Sequence, residues 1–291
     1  MDPLVKTRLR AAVAAHRHNP LVRAAMRTSF LILNAGNNQY NWNFEANGEV
    51  WTVKWAVQTY PGVIFDVGSN QGQWAMAALP HIEERPLHCF EAVPETFESL
   101  RTNLSGHPTA ILNDVGLGSK PGNITFHHSK ATPEVSSRYN IADEYQASRD
   151  NIVNVQITTG DEYCRSRAVD RIALLKVDVE GMEYEVLDGF RGMLENQRIG
   201  AVQFEYGEGY IGGRRYLGDV CELLQRAGYG IFKQFPRGIE PFRYSTKEEN
   251  FQGRNFVAAL KSDRNTWVAQ DASLPAKQEG RFLAGGSDLL E

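Results

Sequence analysis

Along this 291-residue sequence, acidic, amide and glycine residues gather where apolar runs end. The first gathering is Phe65-Asp66-Val67-Gly68-Ser69-Asn70-Gln71-Gly72, which follows the run Val63-Ile64. Gly68 and Gly72 would let the backbone approach a ligand closely, and in open α/β sheets ligands bind beyond the carboxyl ends of strands. The spacing is G-x-x-x-G, with Asn70 where a dinucleotide fingerprint needs the glycine that admits a pyrophosphate. Glu91 closes the next run, roughly 20 to 25 positions after that turn, where a carboxylate accepts hydrogen bonds from a ribose diol. Asp114 and Val115 close a third run, placed for an adenine amine and the face of its ring; an ordinary Asx turn is the alternative.

The fourth gathering is Lys176-Val177-Asp178-Val179-Glu180-Gly181. Alternation places Lys176, Asp178 and Glu180 on one face if the strand continues that far. Unpaired charges are costly to bury, so three together point to a site rather than to packing. Glu205, within a fifth run, would face the same crevice. Asp178, Glu180 and Glu205 offer oxygen to Mg²⁺ as one alternative. No His or Cys set joins them, and the expectation is that no metal is required. His127 and His128 are adjacent and would point to opposite faces of a strand, while His81, His88 and His107 are scattered, so ordinary core or surface roles are expected.

The elements that must position these residues alternate. Strand, tight turn and helix over 62–80 are followed by strand, Pro94-started helix and strand over 87–117, then strand and helix over 171–194 and 199–228. Such βαβ units imply a doubly wound α/β fold on a mostly parallel sheet. Tyr229–Phe235 and Asn255–Lys261 read as sixth and seventh strands in a terminal hairpin, which makes the sheet seven-stranded. Residues 1–60 read as a helical extension whose segment 34–60 is a cap or lid, 61–261 as the ligand-binding domain, and 262–291 as a polar tail. Val50–Val57 fits either a short strand or a helix, and 122–155 reads as an irregular insertion between short strands. An acceptor pocket would be lined by 34–60, 122–148 and 207–215.

Hydrophobic residues make up 42% and charged residues 23%, which supports a sizeable core. A net charge of −4 gives no general attraction to nucleic acid. Cys89, Cys164 and Cys221 have no CxxC spacing, which fits a reducing, cytoplasmic setting better than disulfides or zinc. The longest apolar stretch near the N-terminus, Phe30–Leu33, is far below the ~20 residues of a membrane span, so no span and a soluble chain are expected.

The runs FDVGSNQG, FEAVPETFESLRTNL, LLKVDVEGMEYEVLDGF and QFEYGEG together resemble the FkbM family of methyltransferases, over roughly 47–261. The resemblance implies a class I methyltransferase (Rossmann-like) fold. It also implies S-adenosylmethionine, which carries no pyrophosphate, bound by Asp66, Gly68, Asn70, Gly72, Glu91 and Asp114. The activity implied is O-methylation of a small-molecule or glycan acceptor, a sugar or secondary metabolite. On that reading Asp178 is the first choice for general base or acceptor-orienting group and Glu205 the second. Lys176 would hold the carboxylates ionised, and Glu180 would bind an acceptor hydroxyl or cap the next helix. A nicotinamide-dependent oxidoreductase and a non-catalytic S-adenosylmethionine-binding protein are the competing functions. The sequence departs from the family at Gly160, before Asp161, where leucine is usual.

Overall fold

The computed structural model describes residues 2–127 and 152–260. The tail 262–291 and residues 128–148 of the insertion lie outside the described residues. Among the described residues, the main sheet has eight strands in the order β3 (Ala110–Asn113), β2 (Leu87–Phe90), β1 (Val63–Val67), β7 (Ile172–Val177), β8 (Ile199–Tyr206), β11 (Arg254–Leu260), β9 (Tyr229–Phe235) and β10 (Gly238–Pro241). A smaller sheet runs β4 (Gly116–Leu117), β6 (Ile152–Thr158), β5 (Gly122–His127). Strands β3, β2, β1, β7 and β8 are parallel, and β11 runs antiparallel to both β8 and β9. The fold is therefore doubly wound α/β as expected, with one strand more than seven. The terminal hairpin is β9–β10 rather than β9–β11, because β11 slots between β8 and β9. Strand β10 was illegible because it is only Gly-Ile-Glu-Pro, and its proline is tolerated at a sheet edge.

Every residue of β7 is buried, as a central parallel strand covered on both faces must be. On one face Phe65, Val67, Leu175 and Val177 pack beneath α6 (Gly160–Ser166), α7 (Glu183–Gly189), α8 (Arg191–Glu195) and α10 (Leu217–Arg226). Helix α10 buries Leu217, Val220, Cys221 and Leu224, an i, i+3, i+4, i+7 stripe. It stops before Gly228, whose φ of 94° is a left-handed exit. On the other face Ile64 and Leu174 lie under α3 (Glu49–Thr59), α4 (Gln73–Ala78) and α5 (Pro94–Asn103).

Helix α3 resolves the ambiguity over 50–57. It buries Val53, Ala56 and Val57 against the sheet, so it packs as part of the body rather than as a separate lid. By contrast, α1 (Pro3–Ala15) buries nothing and α2 (Pro20–Gly36) buries Asn34 alone.

The unusual Gly160 has a steric cause. A Cβ there would lie 2.4 Å from three ring atoms of the fully buried Phe190. Asp161 beside it accepts from the Gly192 and Met193 amides at 2.7 and 2.9 Å, satisfying the free N–H groups that open α8. Gly160→Leu is therefore expected to lower unfolding free energy by ~1–3 kcal/mol or more through overpacking. Urea denaturation checks this, and Phe190→Leu in the same chain should recover part of the loss.

Candidate active site

Parallel pairing sets Asp66 on β1 beside Lys176 on β7, and Lys176 beside Gln203 on β8. All three are buried. Lys176 Nζ lies 3.1 Å from Asp66 Oδ1 and 3.3 Å from Asp178 Oδ2, and 5.4 Å over the Trp74 ring. Burial works against its charge, but Asp66, Asp178 and Glu49 outweigh that and raise its pKa above the ordinary lysine value. This cation is fixed in place.

The turn after β1 is locked to β2. The Gly68 and Ser69 amides both donate to the Phe90 carbonyl, and Ser69 Oγ donates to Asp66 O while accepting from Phe90 N–H. Gly68 takes φ 81°, and a Cβ there would sit 1.8 Å from the Asp178 carbonyl oxygen. Asp178 N–H in turn donates to Val67 O at 3.0 Å. The glycine turn and the end of β7 thus touch through backbone. Asn70 adopts φ 47°, uncommon for a side-chain-bearing residue, and its amide donates to Glu91 Oε2 at 3.0 Å. Glu91 Oε1 accepts from Val93 N–H at 2.8 Å. Two buried acceptors here, Asp66 Oδ2 and Asn70 Oδ1, receive no hydrogen bond from the protein.

Beyond β3, Asp114 is exposed and Val115 half-buried, with Val115 packed on the core. The structured residue is Asn113, which accepts from Tyr163 Oη and donates to the Cys89 carbonyl. His88 is an ordinary core histidine, its Nδ1 2.8 Å from Tyr163 Oη, and burial followed by the nearby Arg167 pushes it down to about 4.

Strand β7 ends at Val177, so Glu180 does not reach the crevice by strand alternation. A turn brings it there: Glu180 has φ 53° and Gly181 φ 102°. The turn is held by Glu183, whose carboxylate accepts from the Val179 and Gly181 amides at 3.0 Å each. A Cβ on Gly181 would meet the Gly209 carbonyl oxygen at 2.2 Å, so the segment after β8 closes over it. The outcome is that Asp178, Glu180 and Glu205 each present a carboxylate oxygen within 4.8 Å of the others.

The family model for the methyltransferase FkbM domain matches residues 66–231. The chain belongs to the FkbM methyltransferase family. It is 28% identical over 188 residues to the 2-O-methyltransferase NoeI of Sinorhizobium fredii, covering 61% of this chain and 76% of that one. With the hexuronic acid methyltransferase AglP of Haloferax volcanii it shares 31% over 146 residues, 50% of this chain and 56% of AglP. A solved FkbM methyltransferase from Methylobacillus flagellatus superposes with TM-score 0.44 at 11% identity, over 68% of this chain and 43% of that one. Methyl transfer is thus the enzyme class, which sets aside the nicotinamide and non-catalytic alternatives.

Sequence reasoning missed two carboxylates of this site. Glu49, at the start of α3, accepts from Gln203 Nε2 at 2.6 Å, Asn47 Nδ2 at 2.7 Å and Asn255 Nδ2 at 3.0 Å. Burial raises its pKa, and Lys176 only partly offsets that. Glu183 is the other, lying inside the quoted motif with no role assigned to it. Its signal was present: an acid two residues after a glycine that needs positive φ is placed to bond the turn's amides.

Burial, followed by repulsion from Asp178, raises Glu180 and Glu205 well above the usual carboxylate range, and a hydrogen bond to Asp178 further favours protonated Glu205. Burial pushes Glu91 and Glu183 up to about 7, although backbone amides oppose it. A carboxyl raised in the folded state contributes stability that is complete below its ordinary 4.5 and lost as pH rises through about 7. The thermal midpoint should therefore fall across that window. Glu91→Gln should flatten part of the fall, and an unchanged slope in a thermal-melt series would refute the assignment.

Proposed function

We propose that this methyltransferase transfers the methyl group of S-adenosylmethionine to a hydroxyl of a sugar or secondary metabolite. The relatives NoeI and AglP carry names that specify 2-O-methylation and a hexuronic acid acceptor, which supports an oxygen nucleophile on a glycan or similar small molecule. The observation that carries the reading is the backbone contact between the glycine turn and Asp178, which puts a ligand-binding turn and a Lys176-paired carboxylate side by side.

The residues present fit the cofactor. Gly68, Asn70 and Gly72 form the turn, Glu91 holds that turn and offers oxygen to a ribose diol, and Asp114 with Val115 flanks the adenine side. Asp66 Oδ2 and Asn70 Oδ1 lack protein donors, and an amino-acid ammonium would supply one. When bound, S-adenosylmethionine supplies a methyl group already activated on a sulfonium. What remains for the chain is to align the acceptor and take its proton, and alignment can be worth ~7–11 kcal/mol.

Asp178 is the base or orienting group. It is the carboxylate of its cluster that pairs with Lys176, and its side chain is 37% exposed, open enough to meet an acceptor. Glu205, whose pKa burial and the neighbouring Asp178 raise, is the second choice as base. Glu180 binds a hydroxyl of the acceptor.

The 4.8 Å grouping favours a second reading, in which Asp178, Glu180 and Glu205 hold Mg²⁺. The metal-free reading is preferred because Lys176 already pairs with Asp178 at 3.3 Å, and no His or Cys joins the three carboxylates among the described residues. EDTA should leave turnover intact; loss of activity with recovery in Mg²⁺ would establish the second reading.

Asp178→Asn keeps shape while removing the proton acceptor. Single-turnover methyl transfer should fall by ~10²–10⁴-fold, while calorimetric affinity for S-adenosylmethionine changes far less. Near-normal transfer would move the base to Glu205, and equal loss of both would make Asp178 a cofactor-binding residue.

A further inference from the structure

The N-terminal helices carry a surface that the catalytic domain does not use. Leu21, Leu31, Ile32 and Leu33 of α2 are each more than 60% exposed, and Met26 and Phe30 at least half exposed. At 100° per residue, Phe30, Leu31, Ile32 and Leu33 point in four directions around the helix. Asn34, the buried residue of α2, lies on the same line as Arg23 and Arg27, and the opposite side is apolar, with Val22 half-buried and its apolar neighbours exposed. An ordinary surface helix has the opposite arrangement. Helix α1 carries a narrower stripe, with Val5, Leu9 and Val13 exposed about one turn apart and Lys6 and Arg10 beside it.

Charge says what covers this surface. Residues 1–40 contain six basic side chains, Lys6, Arg8, Arg10, Arg17, Arg23 and Arg27, against one acid, Asp2. The arm is thus +5 and the remainder of the chain −9, within a total of −4. Neither helix is long and apolar enough to cross a membrane. We propose that residues 3–36 lie on an anionic lipid bilayer, with the leucine-rich arcs among the acyl chains and the arginines at the phosphates.

A broad apolar arc bordered by a narrow basic stripe is the arrangement of a helix lying in the interface plane. Long arginine stems reach the headgroups from there. A single partner helix covers only a stripe of roughly 100° and would leave much of the arc in water. The acidic body is repelled by the same surface that attracts the arm, so the charge asymmetry also orients the enzyme.

The test is co-sedimentation of the full chain with vesicles of phosphatidylcholine alone and with about 30 mol % phosphatidylglycerol. Binding is expected to the anionic vesicles and to weaken between ~0.1 M and ~1 M salt. Leu31→Ser with Ile32→Ser should abolish it. Arg23→Ala with Arg27→Ala should lower partition by roughly tenfold or more. Both variants should keep the wild-type thermal midpoint, because none of these side chains is buried. Failure of the folded wild-type chain to sediment, or equal binding to neutral vesicles, would overturn the proposal. A dimer in analytical ultracentrifugation that the serine variant dissolves would assign the surface to a second copy of the chain instead.

Discussion

A single buried ammonium organises the carboxyl end of the central strands of this sheet. Lys176 sits on the central strand β7, too deep for water to stabilise its charge, and is tolerated only because Asp66 and Asp178 flank it and Glu49 stands near. Removing one partner from such a group leaves a charge without compensation, which typically costs ~3–5 kcal/mol. The three anions come from β1, from the turn after β7 and from the start of α3. The electrostatic requirement of one side chain therefore fixes the relative positions of three elements distant in sequence.

That arrangement separates the roles of chemically similar groups. Asp178, paired with Lys176 and partly open, and Glu205, buried against other carboxylates that raise its pKa, belong to the same side-chain class yet sit in different surroundings. The backbone contributes as well. Asn70 and Glu180, both in left-handed conformations, sit where the turns after β1 and β7 bend more sharply than side-chain-bearing residues prefer. Strain of this kind persists where surrounding bonds over-determine it, here those from Glu91 and Glu183.

Much of this was legible in the sequence because it is local. The glycine turn, Glu91 and the Lys176–Gly181 run each follow an apolar strand, so their order and placement came from periodicity and turn chemistry. Cross-sheet partnerships were not legible. That Gln203 meets Glu49 depends on α3 docking over β8, 154 residues away in the chain. The position of Glu180 depends on a turn rather than on alternation. The eighth strand was too short and proline-bearing to announce itself, and Gly160 could be explained only once Phe190 stood opposite it.

The place of β11 has a consequence for how the chain assembles. This strand, at residues 254–260, lies between β8 and β9, so β9 has no route to the body of the sheet until β11 has arrived. During synthesis the β9–β10 hairpin precedes β11, which links it to β8 in the sheet of the described residues, and shows an open strand edge. Late, non-local closure of this kind is slow, and unpaired edges are where chains stick to one another. Helix α10, which packs on β9, cannot shield that edge because it covers a face. The nascent enzyme is therefore most prone to mis-association just before residue 260 emerges, a vulnerability that belongs to the folding route and leaves no trace in the finished sheet.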